Sequence, residues 1–181
     1  MRIFLFLLDT LFFLLVGAAL LRGWMNTRRL RMTQQPGLFV MAISDWIVKP
    51  LRKVLPRAWA QANTDWGSFS AAVLLCLLYS LVWNLLVGGM ELGPMDLSAW
   101  SWLVVALVFL VRTVLQGLMV LVLAHAVISW VQPMSPMYGM LSRLVAPLLR
   151  PFQRVVPVVG GVDLSSLLLL VLLQIGLMLL G

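Results

Sequence analysis

The sequence predicts an all-α integral membrane protein of two tandem repeats. Four transmembrane helices are expected, with short amphipathic helices lying at the interface in the cytoplasmic loops. Three observations carry this reading. The 181-residue chain is 62% hydrophobic and only 10% charged, with a mean hydropathy of +1.05. Soluble domains are about 45–50% apolar and about 25% charged, so the bilayer must be the solvent here. Four apolar runs approach the length that crosses a bilayer, roughly 17–25 helical residues. A proline-bracketed basic segment occurs twice, as KPLRKVLP at residues 49–56 and RPFQRVVP at residues 150–157.

The first run, residues 3–21, is broken only by Asp9 and Thr10. A signal peptide carries its basic residues before the apolar core. Here only Arg2 precedes the run, while Arg22, Arg28, Arg29 and Arg31 follow it, which favours a retained helix. The second run is 69–87, the third 100–131 with Arg112 inside it, and the fourth 164–180. Strand alternation is absent, and backbone groups in lipid must pair within their own segment, so helices are the spanning form.

The loops set the expected orientation. Residues 22–67 and 132–163 hold nearly all the Lys and Arg, whereas residues 88–99 hold Glu91 and Asp96 and no cation. The positive-inside rule places both basic loops in the cytoplasm and both termini outside. Trp100 and Trp102 then fit an outer aromatic belt. The third run would be about 48 Å long at 1.5 Å per residue, against about 30 Å of hydrocarbon. Residues 111–131 are expected to span, with Arg112 snorkelling. Residues 100–110 either lie in the interface or extend the helix.

The two basic segments align without gaps. Lys49, Pro50, Lys53 and Pro56 match Arg150, Pro151, Arg154 and Pro157. Trp24 and Trp130 stand upstream, Asp65 and Asp163 downstream. The unit of helix, basic segment, Asp and helix thus occurs twice, giving repeats 1–97 and 98–181 in parallel orientation. Proline starts a helix well and interrupts one badly, so Pro151 is expected to open a short helix that Pro157 ends. Residues 37–48 and 137–146 then form a separate short helix in each loop. Asp65 and Asp163 are expected N-caps. Lys49, Arg52, Lys53, Arg150 and Arg154 are the candidates for docking lipid phosphates or a partner protein.

The net charge of +7 and the pI near 11.1 are concentrated at these membrane-flanking segments, which fits anionic headgroups and argues against nucleic acid. One His, one Cys and six acidic residues leave few parts for a catalytic or metal site. No enzyme activity and no cofactor are expected. Cys76 reads as a small buried hydrophobe. His125 is expected in an interhelical hydrogen bond, and Gln174 is expected to face other helices. Gly17, Gly88, Gly89, Gly117 and Gly176 are candidates for close helix approach. Asp9 and Arg112 enter their helices from the same side. With Asn84 and Gln116 they form a candidate intramembrane polar cluster.

The stretch Ala124-His125-Ala126-Val127-Ile128-Ser129-Trp130, then Ser135-Pro136, Pro147 to Pro157, and Gly160-Gly161-Val162-Asp163-Leu164-Ser165 resembles the YggT family of small bacterial membrane proteins. The likeness covers essentially the whole chain and is strongest in the second unit. The first unit carries Ala60-Gln61-Ala62-Asn63-Thr64-Asp65 where the second has the Gly-Gly-Val-Asp turn, and it has no match to Pro147. The resemblance implies two copies of this unit in an inner-membrane protein. It also implies links to cytochrome assembly in plastid relatives, and to cell-division gene neighbourhoods and osmotic or ion tolerance in bacterial ones. It supplies no catalytic residue. The function expected is a non-enzymatic scaffold or assembly factor, working with a membrane-protein partner or as a homo-oligomer. The alternative is a small ion or osmolyte transporter, with the polar cluster lining an outer vestibule.

Overall fold

In lipid each backbone N–H and C=O must find its partner inside the chain, and the described residues satisfy this as helices. The computed structural model describes residues 2–30, 36–54, 65–88, 99–154 and 164–180. Among them are α1 (Arg2–Thr27), α2 (Gly37–Val54), α3 (Trp66–Gly88), α4 (Ala99–Val131), α5 (Pro136–Gln153) and α6 (Leu164–Leu179), and no strand. Asp163, Pro56, Pro157 and the acidic loop with Glu91 and Asp96 lie outside the described residues.

Three of these helices, α1, α3 and α4, are long and apolar enough to cross a membrane. The 16 residues of α6 reach about 24 Å, short of the roughly 30 Å hydrocarbon core. Among the described residues, three of the four expected spans meet that length, and α6 is a shorter apolar helix. The 33 residues of α4 form one uninterrupted helix, so residues 100–110 extend it.

The expected break before Pro50 and before Pro151 does not occur. Gly37–Val54 is one helix with Pro50 inside it, and Pro136–Gln153 is one helix with Pro147 and Pro151 inside it. The reason is packing. Val40, Ser44 and Val48 are buried along one stripe of α2, which continues to the half-buried Leu51 beyond the proline. Leu141, Leu144, Val145 and Leu149 do the same on α5. Pro50 and Pro151 sit exposed on the opposite sides, so burial of the apolar stripe outweighs the lost i→i−4 bonds.

The helix ends are specified locally. Arg29 takes a φ of 53°, the left-handed region, and closes α1. Leu30 N–H donates to Met25 O at 3.1 Å and Arg29 N–H to Asn26 O at 2.9 Å, the paired bonds of a Schellman turn. At α5, Ser135 Oγ accepts from Tyr138 N–H at 3.1 Å, and Pro136 occupies the first turn, where its missing N–H costs nothing.

The chain forms two compact units, residues 1–113 and 114–181, which divide within α4. In the first unit α1 packs on α2 and α3, and α2 on α3. Small residues let the backbones approach: Ala19, Ala71, Ala72 and Cys76 are buried with Val16, Val48 and Leu75. Tyr79 organises the aromatic end of this core. Its ring stacks on Phe109 at 3.8 Å and meets the edge of Phe12 at 5.5 Å. Ser80 Oγ donates to Trp102 O at 2.7 Å, tying α3 to α4. In the second unit α5 packs on α6, and the His125 ring of α4 stacks on Tyr138 of α5 at 5.3 Å.

The glycine reading needs correction. A Cβ on Gly17 or Gly117 would meet nothing within 4 Å, so neither marks a close approach. On Gly176 it would lie 3.3 Å from Leu115, and on Gly23, which sequence reasoning passed over, 3.0 Å from the Phe69 ring. Gln174 is exposed on α6 and faces no other helix of its unit, because the buried face of α6 is the one carrying Ser166, Leu169 and Leu173.

Gly23→Ala should therefore destabilise the protein in mild detergent by about 1–3 kcal/mol, since the added methyl must displace an aromatic ring. Gly17→Ala should be neutral or slightly stabilising, because it adds helix propensity in open space. Thermal unfolding of both variants checks the pair.

Candidate functional site

The basic segment of the first repeat is built into an ionic strap. Arg22, on the last turns of α1, is almost fully buried, with its side chain 7% exposed. A guanidinium out of water must be paired and hydrogen-bonded. Arg22 Nη1 donates to Asp45 Oδ1 at 2.8 Å and to Ser44 Oγ at 2.9 Å, both on α2. Ser44 Oγ in turn donates to Val40 O at 2.7 Å. Lys49 Nζ reaches Asp45 Oδ2 at 2.7 Å across one helical turn.

A second pair lies near the C-terminal end of α2. Arg52 donates to Asp65, whose carboxylate is buried at the start of α3. Ser68 N–H donates to Asp65 Oδ1 at 3.2 Å, the geometry of an N-cap, and Ser68 Oγ donates to Oδ2 at 2.7 Å. The Arg52 side chain lies over Gly67. A Cβ there would fall 2.6 Å from Arg52 Cγ, so the absence of a side chain on Gly67 is what admits the arginine. Two ion pairs thus pin α2 to the ends of α1 and α3 that face the same loop region.

Both carboxylates are shifted down from their ordinary value of 3.8. For Asp45 the hydrogen bond from Lys49 is the largest cause, with Arg22 adding to it against an opposing effect of burial. For Asp65 burial alone would raise the value, and the hydrogen bonds from Ser68 together with the Arg52 charge outweigh it.

The other expected docking residues divide. Lys53 is exposed on α2, and Arg150 and Arg154 are exposed at the end of α5. Arg143 joins them: positions 143, 150 and 154 are spaced i, i+7, i+11 and fall on one stripe, opposite the buried Leu141, Leu144 and Val145. In the repeat register Ala146 stands where the first copy has Asp45, and Gln153 where it has Arg52. No Asp or Glu occurs anywhere on α5.

The four residues of the expected polar cluster fall in different surroundings. Asp9 Oδ1 accepts from the Tyr79 hydroxyl at 2.6 Å. Arg112 is exposed on α4 within the first unit. Asn84 Nδ2 donates to Ser80 O, one turn back on its own helix, at 2.8 Å. Gln116 belongs to the second unit. Sequence reasoning missed Tyr79 because a lone Tyr in an apolar run reads as core. It treated Arg22 as a topology signal. The spacing of Asp45 four residues before Lys49 was the available clue to a charged helix face. Among the described residues no group of three or more His, Cys, Asp or Glu side chains is placed to hold a metal ion.

Asp45→Asn should cost about 2–3 kcal/mol, because it strips the carboxylate from the buried Arg22 while leaving Asp45's partly wet site accessible to water. Lys49→Gln should change stability by less than about 0.5 kcal/mol, since that lysine is 68% exposed. Chemical or thermal unfolding in a fixed detergent measures both. Depressed carboxylate values mean that the unfolded chain binds more protons just below pH 3.8, so stability is flat above that point and falls as the pH drops through the folded-state values. Asp65→Asn should lower stability at neutral pH and make the acid-side fall shallower. Tyr79→Phe should cost about 0.5–1.5 kcal/mol through loss of the Asp9 bond.

The CCB3/YggT family profile matches residues 1–86 and 104–181. An uncharacterised protein of Vibrio alginolyticus, described by its place in the proC 3′ region, is 30% identical over 97% of this chain and 92% of its own length. The uncharacterised protein YggT of Escherichia coli is 32% identical over 94% of this chain and 85% of its own. An uncharacterised protein of Pseudomonas aeruginosa is 28% identical over 90% and 80%. No solved structure matches the chain. Two matched segments that together cover most of the chain, and relatives aligned over nearly all of it, make this a member of the CCB3/YggT family.

Proposed function

We propose that the protein is a non-enzymatic scaffold of the bacterial inner membrane, which docks an acidic segment of a partner membrane protein along α5. The observation that carries this reading is the arginine stripe 143, 150 and 154. It is exposed, lies opposite the buried apolar face of its helix, and shares that helix with no carboxylate. Guanidinium groups on one line recognise carboxylates or phosphates in bidentate fashion. The first copy is different: of the equivalents of Arg150 and Arg154, Lys49 is paired with Asp45 on its own helix and Lys53 is exposed. In this reading α2 and α5 both lie in the cytoplasmic interface, amphipathic helices with their basic ends toward headgroups, and the termini face outward. An assembly or organisation role follows from one engaged strap and one open basic face.

Transport of an ion or osmolyte is the competing reading, and the Asp9–Tyr79 hydrogen bond between α1 and α3 is the observation that favours it. Co-purification from native membranes in mild detergent separates the two. The scaffold reading expects a stoichiometric partner that is lost when Arg143, Arg150 and Arg154 are changed to Gln, with the helical content of the variant unchanged. A partner that persists in that variant, or ion flux in proteoliposomes that disappears with Asp9→Asn, would overturn it.

A further inference from the structure

Gln174 sits two-thirds of the way along α6, inside the otherwise apolar stretch 167–179. It is exposed and has no hydrogen-bond partner among the described residues. Shorter polar side chains in the spanning helices solve the same problem locally: Thr10 donates to Phe6 O and Asn84 to Ser80 O, each one turn back on its own helix. Gln174 is not satisfied in that way. An amide left facing hydrocarbon loses its hydrogen bonds to water with nothing in return, which costs on the order of several kcal/mol.

The neighbours of Gln174 form a seam. Leu167, Val171, Gln174 and Met178 are spaced i, i+4, i+7, i+11 and are all exposed, Leu167 by 60% and Met178 by 70%. That is the spacing at which two helices interlock side by side, and it lies opposite the buried Ser166, Leu169 and Leu173. A polar residue at one seam position fixes the register of such a pair.

We propose that α6 is a homotypic interface: two copies of this chain pair along Leu167, Val171, Gln174 and Met178. Each Gln174 amide donates to the carbonyl oxygen of its symmetry mate. A second copy fits because a carboxamide carries both donor and acceptor, so two of them satisfy each other about a two-fold axis. The inference does not rest on the scaffold reading, since α5 and α6 present different residues.

Oxidative cross-linking in native membranes tests it, in a Cys76→Ala background. Val171→Cys should cross-link to a dimer, while Leu172→Cys, exposed but off the seam, should do so far less. In lipid nanodiscs, the monomer–dimer equilibrium of Gln174→Leu should be weaker than that of wild type by about 3- to 30-fold. Gln174→Asn should recover much of the loss. Gln174→Leu only makes an apolar helix more apolar, so its folding is not in question. The proposal is overturned by equal cross-linking at both cysteine positions, by a chain that stays monomeric, or by an equilibrium that Gln174→Leu leaves unchanged.

Discussion

A guanidinium withdrawn from water must have a carboxylate held against it, and in the first unit that requirement decides where α2 lies. Arg22 is buried near the end of a membrane-length helix, and Asp45 on α2 supplies the counter-charge. Arg52 and Asp65 add a second pair near the C-terminal end of α2. With α2 held at Asp45 and Arg52, Val48 packs into the core formed with α1 and α3, and the helix runs through Pro50 because the stripe it buries is continuous across the proline. Removing one member of a buried pair is costly because the other is left charged and dry. The strap is therefore a condition for the packing around it rather than an addition to that packing.

The two copies of the basic segment share a sequence pattern and differ in how their charges are engaged. In the first copy Asp45 engages Lys49 and Asp65 engages Arg52, while Lys53 stays exposed. The second has Ala146 and Gln153 at the corresponding places of the strap, and its arginines lie along an open stripe. In the second unit the His125 ring of α4 stacks on Tyr138 of α5. Two copies of one sequence motif thus produce a closed element in one unit and an accessible charged face in the other.

Much of the architecture was legible from composition alone. Apolar runs of membrane length, the absence of alternation and the duplicated basic segment led to helices, a membrane environment and the family. What escaped was of three physical kinds. Pairings between residues 22 and 45, or 9 and 79, have no periodic signature, because they depend on how helices distant in sequence meet. The proline rule is local, and at Pro50, Pro147 and Pro151 tertiary burial overrode it. Glycine and glutamine positions could not be assigned to faces without knowing which side each helix buries. Gly23 proved to be a packing site where Gly17 did not, and Gln174 turned outward.

The strap is tested most directly by the distance between α2 and α3. Spin labels at Ala42→Cys and Trp66→Cys, both exposed positions of the first unit, would be placed in a Cys76→Ala background and the protein held in lipid nanodiscs. Double electron–electron resonance then compares this chain with one that also carries Arg22→Leu and Arg52→Leu. The account predicts one narrow distance distribution with the ion pairs intact and a broad one without them. A distribution that stays equally narrow after both arginines are removed would contradict it, and would assign the position of α2 to its apolar stripe alone.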